Sequence, residues 1–461
     1  MQPVHSREEL RAADQAAIAE VGLDTLVARA GAAVAHAAIG LLGGAYGKRA
    51  VVVAGRGHNG DDGRVAASIL RRRGVRVTEI DPGALPTTLP ACELVIDAAY
   101  GTGFRGEYRA PAVPAGTPVL AIDIPSGLDA DTGRACKGAV SATETVTMAA
   151  LKPGLLMGDG PALAGRVEVA PIGIAVAPGK VWLVEDADIA GWLPAREPET
   201  NKWRSACVVV AGSPGMIGAA RFSTSAAQRA GAGMVRWCVP GASADELPAS
   251  EAVALSVPAD FADAVLVELR RCRALVIGPG IGSEPGVIAS VRRLVAEAEV
   301  PVIVDADGLG ALGPLEQARE VLAGRKVEAV LTPHDGEYAR LAATTSGGDS
   351  RPGGDRIAAA RSLARDLGAI VLLKGSTTAV AAPDGQAFLV TSGSSRLATA
   401  GTGDVLSGVI GAFLARGVDP LRAAALGAHV HGRAAGLGFA EGLVAGDLPE
   451  LVAIVLSGAY D

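Results

Sequence analysis

Aromatic side chains are scarce in this sequence, at 3% of 461 residues. A core built almost without rings has to be filled by Ala, Val, Leu and Ile, and nearly half of all residues are apolar. Cysteines are few as well. Cys92, Cys136, Cys207, Cys238 and Cys272 are odd in number, widely spread and form no CxxC pair. That spacing argues against a zinc site and against a disulfide framework, and it fits a reducing cytoplasm as the expected location. Long basic tracts are missing too. The net charge is -7, and the one short cluster, Arg71 to Arg73, falls where a helix should end, favourably placed against its dipole. Nucleic acid is therefore not an expected partner. Ala30 to Tyr46 is apolar apart from His36, but it is slightly short for a membrane span and reads as a buried helix, so no membrane partner is expected. Met1 to Glu9 is too polar for a secretion signal.

Glycine, by contrast, is abundant at 61 residues, and much of it follows short apolar runs. Glycine in a strand-to-helix turn lets a ligand approach the backbone closely. The first half carries strand candidates at Ala50–Ala54, Val75–Ile80, Leu94–Asp97, Val119–Ile122 and Thr143–Met148, separated by helix-like segments. A helix is expected from near Asp62, with Val65, Ile69 and Leu70 toward a sheet. Strands alternating with helices predict crossover units and a parallel sheet. The polar, proline-containing stretch LPAREPETNKWR, Leu193 to Arg204, interrupts the pattern and is the expected boundary between domains 1–197 and 198–461. A second series follows at Cys207–Ala211, Val235–Val239, Ala274–Ile277, Val302–Val304, Ala329–Leu331 and Ile370–Leu373. Thr377–Ala381 and Ala387–Val390 flank Pro383-Asp384-Gly385 and read as a hairpin. Two apolar helices, Asp404–Ala415 and Leu421–Gly436, close the chain, and 346–354 reads as a mobile loop.

In the first half three strand ends carry polar chemistry. GRGHNGDDG, Gly55 to Gly63, joins the first strand to a helix; such a turn serves as a phosphate cradle or as a plain tight turn, and its Asn and Asp residues add the possibility of a cation. Asp97 leads into GTGFRG, Gly101 to Gly106. Asp123 ends the strand of AIDIPSGLD. Ligands of open parallel sheets bind at the carboxyl ends of the strands, so Asn59, Asp97 and Asp123 should meet in one crevice, unless each acid simply caps the following turn.

These segments resemble the NAD(P)H-hydrate epimerase family in order, spacing and content over about residues 1–195. The resemblance implies a Rossmann-like parallel-sheet α/β/α domain. It implies that His58, Asn59, Gly60, Asp61 and Asp62, together with Gly101, Thr102, Gly103, Phe104, Arg105, Gly106 and Glu107, bind a hydrated dinucleotide. It places potassium on Asn59, Asp97 and Ser126, and it makes Asp123 the substrate-touching acid/base. Two positions depart from the family's usual NNGGDG: His58 replaces the first Asn and Asp61 the second Gly. Asp61 brings negative charge to the phosphate path unless it turns to solvent.

The second half repeats the design. GSPGMIGAA, VIGPGIG, VDADGL, TPHDGE and KGSTT each follow a strand, and ATAGTGDVLSG opens a helix. The bare N–H groups of Gly401 and Gly403 can hold phosphoryl oxygens, and Asp404 can take a proton from an attacking hydroxyl, although an acid there also serves as a plain helix cap. Lys374 is one of only seven lysines. His429 and His431 read as packing residues, too close in sequence to share one helix face as a metal pair.

Taken together these motifs look like those of the ADP-dependent NAD(P)H-hydrate dehydratases, over about residues 200–461. The resemblance implies a ribokinase-like α/β domain. It implies that Ala219, Gly282, His334 and Asp404 contact the hydrated dinucleotide, with Asp404 catalytic. Lys374, Gly375, Ser376, Thr377, Thr378 and Gly403 would hold ADP or AMP, with magnesium on the nucleotide. Gly310 stands where that family often has Asn. The implied function is repair of hydrated NADH and NADPH by an α/β homo-oligomer: epimerisation of the R and S hydrates, then ADP-dependent dehydration of the S hydrate. A ribokinase-like small-molecule kinase fused to a non-catalytic nucleotide-binding module stays open at this point.

Overall fold

The computed structural model describes residues 1–344 and 351–459. Most of the segment expected as a mobile loop, 346–350, lies outside the described residues. The chain forms two compact units, Pro3–Gly179 and the residues from Lys180 onward together with Met1–Gln2. This division falls ahead of the expected 197/198 boundary. The cause is Val181–Leu183, a strand that pairs in parallel with Ala387–Val390, and the helix Ala187–Trp192, which packs against the helix Pro420–Leu437. Both commit to the second unit before the polar stretch is reached.

The first unit holds a six-stranded parallel sheet in the order 76–80, 49–54, 94–98, 119–122, 144–148 and 166–170. One face is covered by the helices Leu23–Leu42 and His58–Arg72, whose Val34, Ala38, Ala66 and Leu70 pack on Val52, Ile96, Leu120 and Ile122. The other face is closed by irregular segments bearing Leu89, Cys92, Tyr108 and Val140. Leu23–Leu42 is long and apolar enough to cross a membrane, yet its buried stripe rests on this sheet. A Cβ on Gly31 would lie 2.5 Å from Val65 Cγ1, so Gly31 lets the two helices touch. The second helix begins at His58, four residues before its expected start, because the glycine turn winds directly into it.

The second unit is built on an eleven-stranded sheet whose order includes 387–390, 378–381, 370–373, 329–331, 302–304, 274–277, 206–210 and 234–238. From 370–373 to 234–238 all neighbours are parallel, while 378–381 and 387–390 form the expected hairpin. The helix Thr402–Ala415 is buried nearly all round. Gly408 and Gly411 make that possible: added Cβ atoms would lie 2.1 Å from Ser223 O and 2.2 Å from Val276 Cγ2. His429 and His431 are buried on the next helix, and all five cysteines are free.

Candidate active sites

In the first unit, adjacent parallel strands deliver the motif loops side by side. A cleft of about 670 Å³ opens at their carboxyl ends, lined by His58, Asn59, Asp62, Gly101 to Arg105 and Asp123 among others. Gly60 and Asp61 do not line it. Gly60 is buried beneath the turn, where a Cβ would lie 1.9 Å from Gly55 O. Asp61 points away and pairs with Arg64 at 2.9 Å, so its charge is answered outside the phosphate path. Gly106 and Glu107 continue the second loop as exposed residues outside the cleft lining.

Asp123 leaves its strand with φ 69, a left-handed conformation that non-glycine residues rarely take. Its Oδ1 accepts the Met148 N–H at 3.1 Å and lies 2.5 Å from the ammonium of Lys152. Lys152 is almost fully buried and also donates to Thr147 Oγ1 and the Met148 carbonyl. The sequence reading missed Lys152, which stands 29 residues away in an unremarked LKPG segment. Asp62, one face of the same cleft, is pushed up to about 8 by burial and by the nearby Asp123.

Asp97 and Ser126 come together as expected. Asp97 accepts the Ser126 amide at 2.8 Å and its hydroxyl at 2.7 Å. Burial, partly offset by these bonds, pushes the Asp97 carboxyl up to about 6. Asn59 stands across the GTG loop and its buried amide nitrogen has no partner. A buried carboxylate with only neutral donors, beside a hydroxyl oxygen, is the kind of group that a hard cation would satisfy.

In the second unit five neighbouring strand ends carry the motifs in a row: Gly212, Gly278, Asp305, Thr332 and Lys374. Ala219 and Gly280 are packed together, a Cβ on Gly280 lying 2.8 Å from Ala219 Cβ, and the Gly282 amide donates to Asp307 at 3.0 Å. His334 caps the helix Asp335–Leu341 through Nδ1 while the rest of its ring is exposed. Lys374 is held between Asp305 at 2.9 Å and Glu337 at 3.6 Å. Burial pulls its pKa down, but these two carboxylates outweigh it and the ammonium sits above its ordinary value. A Cβ on Gly403 would lie 3.7 Å from Lys374 Nζ, so the lysine reaches the GTGD turn. Asp404, in the first turn of the helix, is pushed up to about 7, by burial first and then by Asp305. A base with that value is matched to neutral pH. Gly375 and Ser376 are exposed, Thr377 buried and Thr378 half-buried at the start of the next strand. Asp305 and Glu337, inside VDADGL and TPHDGE, join the centre through Lys374, a contact that no local sequence pattern marks.

Residues 207–456 match the family model described as NAD(P)H-hydrate dehydratase. Residues 23–84 and 78–154 match the one described as YjeF-related protein N-terminus. The bifunctional NAD(P)H-hydrate repair enzyme of Moorella thermoacetica is 36% identical, over 89% of this chain and 87% of the relative. That of Mycobacterium tuberculosis is 37% identical over 92% of both. Among solved structures, the ADP/ATP-dependent NAD(P)H-hydrate dehydratase of Bacillus subtilis, co-crystallised with ATP and Mg²⁺, matches at a TM-score of 0.51 and 27% identity, covering 60% of this chain and 99% of that one. A ribokinase-like superfamily protein of Enterococcus faecalis, 19% identical with a TM-score of 0.52 over 62% of this chain and 98% of that one, shares the fold of the second unit. These matches run through both units and favour repair over a small-molecule kinase. The chain belongs to the family of bifunctional NAD(P)H-hydrate repair enzymes.

Proposed function

We propose that the chain restores hydrated NADH and NADPH in two steps, one on each unit. The observation that carries this reading is that each unit gathers its motif loops at the carboxyl ends of a parallel sheet around an acid with a lysine nearby: Asp123 paired with Lys152 in the first, and Asp404, on the helix that opens at GTG, within electrostatic reach of Lys374 in the second. In the first unit the loops His58–Asp62 and Gly101–Glu107 hold the hydrate. Asp123 exchanges protons with it, so the R and S forms interconvert. Lys152 fixes the Asp123 carboxylate by charge and hydrogen bond. Asn59, Asp97 and Ser126 would hold potassium, which when bound supplies a fixed positive charge beside the buried Asp97. The buried Asp97 carboxyl, raised by burial and answered only by neutral donors, supports that fit.

In the second unit ADP enters with magnesium on its phosphates and is held by Lys374 to Thr378 and Gly403. Ala219, Gly282, His334 and Asp404 contact the S hydrate. Asp404 accepts the proton of the ring hydroxyl. The hydroxyl oxygen bonds to the β-phosphorus of ADP, the bond from that phosphorus to the bridging oxygen breaks, and AMP leaves. The ring carbon then loses phosphate while its neighbour gives up a proton, and the ring double bond returns. We place the enzyme in a reducing cytoplasm as a homo-oligomer without nucleic-acid or membrane partners; five free cysteines support the first part.

The test is ³¹P NMR of the reaction of NADPH hydrate with Mg-ADP. AMP and inorganic phosphate should appear in equal amounts, each matching the NADPH recovered. A stable phosphorylated product without NADPH would convert the second unit into a kinase.

A further inference from the structure

One buried side chain ties three motifs of the second centre together, and no step of the reaction above uses it. Asp305 ends the strand Val302–Val304 and is 1% exposed. Its Oδ1 accepts Thr332 Oγ1 at 2.8 Å and Lys374 Nζ at 2.9 Å, and its Oδ2 accepts Ser407 Oγ at 2.7 Å. Those three donors come from the strand end before His334, from the KGSTT segment and from the GTGD helix. The backbone is shaped to aim it. Ala306, the next residue, sits at φ 50 and ψ -122, a conformation that L-residues rarely adopt. Gly278 passes so close beneath that a Cβ there would lie 2.0 Å from Asp305 O. A buried carboxylate is expensive unless paired and hydrogen-bonded, and this one has three donors.

We propose that Asp305 is the positioning residue of the dehydratase centre: it sets the Lys374 ammonium at the GTGD turn, anchors the GTGD helix through Ser407, and keeps Asp404 a proton acceptor. The proposal rests on the reading of Asp404 as base.

The charges around Asp404 agree with it. Asp305 and Asp307 face it as anions and Lys374 as a cation; burial and Asp305 are the leading causes of its raised value. Glu337 acts on Lys374 from the helix Asp335–Leu341. The helix Pro420–Leu437 contributes His431, which burial holds down to about 4, so it is neutral there. Asp305 stays below its ordinary value: burial pushes it up, but Lys374 and the hydroxyl donors outweigh burial. Removing its charge while keeping its shape therefore loosens Lys374 and makes Asp404 a weaker base.

Asp305→Asn keeps the size and can still bond Thr332 and Ser407. It should lower dehydratase kcat by about 100-fold, the scale on which a small misplacement acts. It should also move the acid limb of the kcat–pH profile to lower pH, and leave epimer exchange unchanged. A role in folding alone would not move that limb. Lys374→Met and the double variant Asp305→Asn/Lys374→Met complete the test, because the double neutralises both partners of the Asp305–Lys374 pair and leaves Glu337 as it is in Lys374→Met alone. Its loss should be close to that of Lys374→Met alone. A wild-type rate and pH profile in Asp305→Asn, or losses that multiply in the double variant, would overturn the proposal. Asp404→Asn run in parallel separates the two readings. If it dehydrates at the wild-type rate, the base assignment itself has failed; if it is inactive while Asp305→Asn is unaffected, only the positioning role has.

Discussion

Lys152 Nζ stands 2.5 Å from Asp123 Oδ1, and the lysine is nearly sealed from solvent while the aspartate opens on the cleft. A buried ammonium with three acceptors has little freedom, so it fixes the Asp123 carboxylate that lines the cleft. Asp123→Asn should slow epimer exchange by about 100-fold or more, the usual contribution of a positioned acid/base. Dehydration should continue, leaving the unreactive epimer behind. Lys152→Met should act on the same step with a smaller loss. Chiral chromatography of the residual hydrate reads both; full repair at the wild-type rate in Asp123→Asn would remove Asp123 from the mechanism.

The value of about 7 at Asp404 sets the direction of the pH dependence. A base works deprotonated, so the dehydratase kcat should rise with pH through about 7 and then level off. Stability runs the other way for this group. Its folded pKa lies above the unfolded one, so its contribution is fully present below the ordinary carboxyl value and is lost as pH rises through about 7. Asp404→Asn should abolish dehydration and flatten that loss. Stopped-time assays across pH 5.5–8.5 and thermal melts in the same buffers would check both; a flat kcat profile in the wild type would contradict the assignment.

The altered glycine motif makes a third prediction. Asp61→Gly should change stability by no more than about 0–1 kcal/mol, since its pair with Arg64 is exposed. Gly60→Ala should be far worse, because its Cβ would overlap Gly55 O in the turn that shapes the cleft. We expect loss of epimer exchange and a melting temperature lower by several degrees, at about 2–4 °C per kcal/mol for a unit of this size. Equal behaviour of the two variants would mean that the turn does not pack as described.

Potassium supplies a fourth. Epimer exchange measured in tetramethylammonium buffer should speed up on adding KCl, while dehydration keyed to the second unit should respond less. Asp97→Asn should erase the KCl response. An exchange rate indifferent to potassium in the wild type would leave Asn59, Asp97 and Ser126 as structural residues only.

How far the sequence could be read depended on where each residue lay. Central strands such as Val119–Ile122 and Ile370–Leu373 were legible because both faces are buried and the apolar run ends in Asp or Lys-Gly. The edge strand Arg166–Ala170 was not, since charged residues alternate through it, and Val181–Leu183 and Val253–Ala254 are too short to show a period. Strand-end residues were found because the chemistry sits where short apolar runs stop. Lys152 and Asp305 gain their roles only from partners 29 and 69 residues distant, Asp123 and Lys374, which no local pattern announces. Gly106 and Glu107 continue a matching motif as exposed residues beyond the cleft lining, a difference that the motif's spacing does not encode.

The measurement that bears most directly on the account is recovery of reduced-nicotinamide absorbance from a mixture of both NADPH hydrate epimers, with Mg-ADP, potassium and the purified chain. We predict complete recovery by the wild type, and recovery of only the S fraction by Asp123→Asn while spontaneous exchange is slow. Recovery that stops at the S fraction in the wild type would contradict the claim that one chain performs both steps.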